Sequence, residues 1–392
     1  MLLSEDPARC FMPYPAAAVE HAADGPLAGL TFAAKDLFDV AGYPTGGGNP
    51  HVLALSGIKR AHAPAVWQLL EAGARFVGKT HTDELAFSIN GDNAHYGRPR
   101  NGAAPDRLCG GSSSGSASAV SNGLCDIALG TDTGGSVRAP ANHCGLFGLR
   151  PTHGRISLQG CLDLAPSLDT CGLLAREAGA FGRAAGVLLG TDPAPLPAAP
   201  RWLLAEDVFE LLAPAVRQSQ AAALQRLRDR HGALEPVRAA QPSFDALYWA
   251  VRYIQGREAW QADGALIERY GLALGPGVKE RFAWSKGVSA QQYAESAALR
   301  EQWRARLGDL LGHDGVLVLP TMPGPAPRLD ENAQDLDRYR ESAFRMLCLA
   351  GLAGFPQVSV PLGRHDGAPL GLSLLGPAGS DASLVALAAA LA

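Results

Sequence analysis

The stretch from Cys109 to Arg150, CGGSSSGSASAVSNGLCDIALGTDTGGSVRAPANHCGLFGLR, constrains the fold more than any other part of the chain. It carries two Gly-Gly-Ser triplets, Gly110-Gly111-Ser112 and Gly134-Gly135-Ser136, separated by a run of small residues and a short apolar run from Ile127 to Leu129. Glycines before a serine let the backbone enter left-handed conformations and let a ligand approach closely. Successive N–H groups in such a turn make a concave anion site. A flexible Gly/Ser linker has no use for Leu146, Phe147 and Leu149, so this segment reads as packed structure. Two turns of this kind, each presenting a hydroxyl, point to acyl-transfer chemistry.

Around that segment the pattern alternates between helix and strand. Leu30–Val40, Arg75–Lys79 and Cys125–Gly130 read as strands, and Pro64–Ala72 as a helix with proline at its start and Gly73 at its stop. This alternation predicts an α/β layered core. After the Pro/Ala-rich junction at Pro193–Pro200, the segments Pro214–Arg230, Tyr248–Tyr270 and Ala290–Leu311 are helical. Strands return at Gly315–Pro320, Gln357–Pro361 and Leu370–Leu375, and the terminal LVALAAALA reads as a packing helix. The expectation is one domain over 1–392 with a mainly helical insertion at 193–313, in which Tyr248, Trp249, Tyr253, Trp260 and Trp284 offer either an aromatic wall or ordinary core.

Composition narrows the function classes. A hydrophobic content of 47% with 18% charged residues is that of a globular chain. A net charge of −4 argues against nucleic acid as the main partner, because phosphate binding needs a clustered cationic face, and leaves local basic patches open. Seven cysteines, an odd number without a C-x-x-C pair, suit a reducing compartment. The segment MLLSEDPARC lacks the pattern of a signal peptide, and no apolar run is long enough for a membrane span. A cytoplasmic protein without membrane or nucleic-acid partners is expected, and a homodimer is left open.

Three short patterns compete and context decides between them. Gly73–Thr80, GARFVGKT, has the phosphate-loop spacing, but its middle residues read as a strand where that loop needs an exposed turn. Ser56–Lys59 has the S-x-x-K spacing, yet its companion motifs are imperfect and in the wrong order. Gly111–Gly115, GSSSG, has the G-x-S-x-G spacing and would make Ser113 the nucleophile of an α/β-hydrolase-type esterase. That turn needs an entering strand, and AAPDRLC is a poor one. No histidine or cysteine spacing supports a metal. Lys35 is set among Phe32, Leu37 and Phe38. A lysine buried there is pushed toward its neutral form and becomes a candidate base; a surface pair with Asp36 or Asp39 is the plainer reading.

Taken together, these residues resemble the amidase-signature family. The resemblance runs from LAGLTFAAKDLFDVAG through INGDNAHYGRPRNG and GGSVRAPANHCGLFGLRPT to LVLPTMPGPAP, GFPQVSVPLG and PLGLSLLGP, and leaves only about 193–313 without landmarks. Within the family, the compact length and the segments FAAKDLFDV, GGGNP and GGSSSGSASAV look most like the indole-3-acetamide hydrolase-like amidases. The resemblance implies a central mixed twisted sheet flanked by helices on both faces. It also implies a Lys–Ser–Ser triad of Lys35, Ser112 and Ser136, with Ser136 as nucleophile and Ser112 on a cis peptide bond as relay. The N–H groups of Thr133, Gly134, Gly135 and Ser136 would form the oxyanion hole. Ser113 would support the site, and Asp132 would pair with Arg138 to hold the nucleophile turn. The implied activity is hydrolysis of a small carboxamide, an aryl-acetamide among the candidates, with no cofactor and no metal. The alternatives are the glutaminase subunit of a tRNA-dependent amidotransferase, the Ser113 esterase, and a binding protein with a dead site.

Overall fold

The computed structural model describes residues 5–391. The first four residues of the N-terminal segment and Ala392, the last residue of the terminal helix expectation, lie outside the described residues. In chain order the elements are β1 Thr31–Lys35, α1 Pro50–Ser56, α2 Pro64–Glu71, β2 Arg75–Thr80, α3 Ser114–Ser121, β3 Ile127–Thr131, α4 Arg138–Cys144, β4 Phe147–Arg150, β5 Cys171–Ala175, α5 Ala178–Leu189 and β6 Arg201–Ala205. They continue with α6 Glu206–Glu210, α7 Pro214–Ser219, α8 Ala221–His231, β7 Glu235–Val237, α9 Phe244–Tyr270, α10 Val278–Lys286, α11 Ala290–Leu311, β8 Gly315–Pro320, α12 Ala333–Ala353, β9 Gln357–His365, β10 Ala368–Leu375 and α13 Asp381–Ala389.

The strands form one sheet in the order β2-β1-β3-β5-β4-β9-β10-β8-β6-β7. Both ends of the sheet are parallel, β1 against β2 and β3 at one, β6 against β8 and β7 at the other. The middle, from β3 through β5, β4, β9 and β10 to β8, is antiparallel. Every residue of β3, β5, β8 and β10 is buried. Successive side chains of a strand point to opposite faces, so burial of all of them means that helices cover both faces of the sheet. The continuous apolar runs IALGT and GVLVLP have this origin.

Two expectations change in detail. The strand expected over Leu30–Val40 stops at Lys35, because the Lys35 carbonyl accepts from the N–H groups of Leu37 and Phe38 in a tight turn. Lys35 therefore stands at the carboxyl end of β1 instead of mid-strand. The region 193–313 holds α6 to α11 but also contributes β6 and β7 to the sheet. The phosphate-loop spacing at Gly73–Thr80 falls on β2, where the Lys79 ammonium is buried in an ion pair with Asp36 at 2.9 Å.

Candidate active site

Strands β1 and β3 are parallel neighbours, with Ala33 beside Ala128 and Ala34 beside Leu129. Their carboxyl ends open on the same side, the edge where an α/β sheet collects ligands. Lys35 ends β1 and Thr131 ends β3. Between them sits the turn at Gly110–Ser113 that leads into α3, and the Gly111–Ser112 peptide bond is cis. The Lys35 ammonium nitrogen, fully buried, lies 2.7 Å from Ser112 Oγ and 2.7 Å from Thr131 Oγ1. Asp36 and Asp39 take other partners, Lys79 and Lys59, so the surface-pair reading of Lys35 falls. Burial pulls the Lys35 pKa down to about 8, while the nearby carboxylates of Asp83, Asp169 and Asp132 partly oppose the shift.

The second triplet forms the turn between β3 and α4. The Asp132 carboxylate organises it by accepting from the N–H groups of Gly135, Val137 and Arg138 and from the guanidiniums of Arg138 and Arg150. Burial alone would raise its pKa, but the two guanidiniums hold it well below the usual carboxylate range. The Asp132–Arg138 pair is thus present at 2.8 Å, with Arg150 as a second partner at 3.0 Å. Gly135 has φ +116° and a side chain there would run into Leu347, so the close approach of α12 requires glycine. The expected four-donor oxyanion hole needs one correction. The Gly135 N–H is committed to Asp132 Oδ1 at 2.8 Å, whereas among the described residues the N–H groups of Thr133, Gly134 and Ser136 have no hydrogen-bond partner.

The Ser136 hydroxyl is also without a partner among the described residues, and Ser136 lines a slot with Phe87, Ile89, Gly134, Gln255 and Phe344. The main chains of the two serine turns are tied together by Ser113 N–H donating to Ser136 O at 3.2 Å. Ser113 itself has no free hydroxyl, because its Oγ donates to Thr131 O and accepts from Thr131 N–H, both at 3.3 Å. No strand enters its turn from Cys109. Ser113 therefore anchors β3 to α3, and the elbow-nucleophile expectation fails. Cys144 is buried with its thiol toward Cys109 O.

Two residues near Lys35 have no motif to mark them. Thr131 is an ordinary strand threonine until the fold sets it against the lysine. Asp83 is buried with its main-chain N–H on Ser112 O, its carboxylate accepts from Gly91 N–H, and burial raises its pKa to about 6. A side chain on Gly111 would meet that carboxylate at 2.3 Å, so glycine is required here as well.

The slot opens into an outer cleft of about 680 Å³, while its inner part is narrow, with about 10 Å³ of free space. Cleft and slot share Ser88, Arg252, Arg281 and Arg340. Of the five aromatic residues weighed as a wall, Trp284 lines the cleft. Tyr248 is buried in the core, and Trp249 stacks on Tyr253, which stacks on Trp284 in turn. Trp260 lies under the Lys286 ammonium. Among the described residues no group of His, Cys, Asp or Glu is arranged to hold a metal ion, and no helix is long and apolar enough to cross a membrane.

The family model "Amidase" matches residues 14–385. The chain belongs to the amidase family. "Amidase 1" of Arabidopsis thaliana is 40% identical to it over 93% of this chain and 93% of that protein. A glutamyl-tRNA(Gln) amidotransferase subunit of Methanothermobacter thermautotrophicus is 31% identical over 92% of this chain and 84% of its own length. A crystal structure of an amidase superposes with a TM-score of 0.82 at 31% identity, covering 93% of this chain and 84% of that one. This amidase is accordingly an enzyme, a hydrolase of amide C–N bonds.

Proposed function

We propose that this amidase hydrolyses a small carboxamide through an acyl-enzyme on Ser136, with Ser112 relaying the proton to a neutral Lys35. The observation that carries the reading is the buried contact between Lys35 and Ser112. It places an amine with a pKa near 8 against a hydroxyl whose own proton has no acceptor among the described residues. Ser136 Oγ attacks the carbonyl carbon as its proton passes to Ser112 Oγ and the Ser112 proton passes to Lys35 Nζ. The oxyanion takes the free N–H groups of Thr133, Gly134 and Ser136, each worth about 3 kcal/mol to the transition state. The proton then returns along the same path to the leaving nitrogen, the C–N bond breaks, and amine or ammonia departs. Water, deprotonated through the same relay, releases the acid from Ser136.

A free-standing amidase is preferred to a component of a transamidation complex. Identity to Amidase 1 of Arabidopsis thaliana is higher than to the amidotransferase chain, 40% against 31%. The net charge of −4 also offers tRNA no general attraction. A cytoplasmic setting is part of the same reading, supported by the odd cysteine count. A fluorophosphonate probe should label Ser136, located by mass spectrometry of the peptide. Ser136→Ala should lose the label and lower ammonia release across an amide panel by about 10⁴-fold or more without lowering Tm. Labelling elsewhere, or turnover near that of the wild type, would refute the assignment.

A further inference from the structure

Three helices of different parts of the chain bring Arg252 from α9, Arg281 from α10 and Arg340 from α12 to the throat where the outer cleft narrows to the slot of Ser136. Among the described residues neither Arg252 nor Arg281 makes an ion pair, and Arg340 has only Asp337, an exposed residue of its own helix at 3.7 Å. The Nε–H groups of Arg281 and Arg340 are buried without a hydrogen-bond partner.

Apart from Asp337 beside Arg340, the acids around this throat hold other groups, although one oxygen of the Asp83 carboxylate keeps no partner. Glu84 accepts from Asn49, from the N–H of Gly275 and pairs with His95. Asp92 pairs with Arg98, Glu280 caps the N–H of Gly277, and Asp83 accepts from Gly91 N–H. Aromatic residues hold Arg252 and Arg281 instead, and Arg252 also donates from one guanidinium nitrogen to the Tyr248 hydroxyl at 3.1 Å. Arg252 lies 5.0 Å from the Trp284 ring centroid and Arg281 5.8 Å from that of Phe87. A ring face positions a guanidinium without using its in-plane N–H donors. Burial, with Arg340 and Arg252 beside it, lowers the Arg281 pKa to about 10.

Three guanidiniums set against one exposed carboxylate, Asp337 at 3.7 Å from Arg340, carry like charge in excess and repel one another, and a planar guanidinium fork matches a carboxylate. We infer that the amide cleaved at Ser136 carries a carboxylate of its own, as in the monoamide of a dicarboxylic acid, and that Arg281 and Arg340, with Arg252, bind that carboxylate. The apolar faces of Phe87 and Phe344 then flank the carbon chain between the two ends. The inference rests on the amidase reading of Ser136 and names its substrate class.

The test compares matched pairs on the wild-type enzyme by ammonia release, succinamate against butyramide and glutaramate against valeramide. The charged member should have kcat/KM higher by about tenfold or more, and added salt should shrink the ratio. Arg281→Gln and Arg340→Gln should each reduce that ratio, mainly through KM for the charged member. A ratio of one or below in the wild type overturns the inference, including the case in which a neutral aryl-acetamide is the best substrate. Calorimetric titration of Ser136→Ala with the same compounds separates the two claims. Preference for the charged amide in binding, without turnover by the wild type, upholds the arginine site and removes the amidase reading. Turnover of neutral amides with no charge preference in binding does the reverse.

Discussion

Around Asp132, two guanidiniums and three main-chain N–H groups converge on one carboxylate, and the whole group is sealed in the protein. Around Arg281, three guanidiniums converge at the wall of an open cleft where Asp337 beside Arg340 is the one carboxylate paired to them among the described residues, Glu84 and Asp92 being engaged elsewhere. The inner region is complete without a ligand, because its task is to hold a turn so that free N–H groups point at one place. The outer region keeps an excess of positive charge, which the proposal above assigns to a carboxylate of the substrate. Satisfied polar networks rigidify; on the function proposed above, the first region would hold the nucleophile turn and the charge at the second would select the substrate.

That contrast breaks most sharply at Lys35. Lys35→Met keeps the apolar stem but removes the proposed base, and should lower kcat by about 10²- to 10⁴-fold with Tm kept or raised. In the wild type the base works as the neutral amine, so activity should be lost as pH falls below about 8 and should level off above it. The decline should approach tenfold per pH unit. A rate profile with an acidic optimum, or a Lys35→Met enzyme within a few-fold of the wild type, would remove lysine from the chemistry.

Asp132→Asn tests the sealed side as a structural claim. It leaves the guanidiniums of Arg138 and Arg150 buried without their counter-charge, and breaking such a group costs about 3–5 kcal/mol. Chemical denaturation should register that loss, with activity falling alongside as the turn at Gly134–Ser136 loosens. Thr131→Val is the subtler probe. It removes one of two hydroxyls bonded to the Lys35 nitrogen, so kcat should drop by about tenfold, the worth of one hydrogen bond to a charged group. KM should hold, and the acidic limb of the rate profile should move to lower pH because an acceptor that favours the ammonium is gone. Thr131→Ser should restore both readouts. A change in KM alone would mean that Thr131 does not position the lysine.

Legibility in the sequence followed the same divide. The two Gly-Gly-Ser triplets and the apolar setting of Lys35 are local patterns. The parallel pairing of β1 with β3 then turns a separation of many residues into the 2.7 Å contact between Lys35 and Thr131, and the turn before α3 brings Ser112 to the same nitrogen. Helix α2 was legible from Pro64 at its start and Gly73 after its end, and α9 and α11 from long stretches, 27 and 22 residues, with no proline inside them. Strand β7 was not, since Glu235–Val237 spans three residues and carries no period. Thr131 and Asp83 were silent because a threonine in a strand or an aspartate after one has no signature until burial gives it one. Arg252, Arg281 and Arg340 lie on three separate helices, α9, α10 and α12. Only the packing of α9 against α10 and α12 puts them in one place, and no spacing along the chain encodes that. The commitment of the Gly135 N–H to Asp132 was equally hidden, as a turn's residues do not say which of its donors are spent.

The smallest effect is expected where the sequence offered its most tempting rival. Ser113 occupies the centre of a G-x-S-x-G spacing, yet its hydroxyl serves both main-chain groups of Thr131 at 3.3 Å. Ser113→Ala leaves that N–H and carbonyl without those bonds and should cost about 1–3 kcal/mol of stability, read as a lower Tm. Because Ser113 holds the strand end that carries Thr131, a shift of β3 would reach Lys35 only indirectly, and kcat should stay within about threefold, less than one hydrogen bond's worth. Loss of fluorophosphonate labelling in Ser113→Ala, with Ser136 intact and the fold preserved, would move the nucleophile to Ser113. It would also reverse the division between a sealed region that shapes the turn and an open one that receives the substrate.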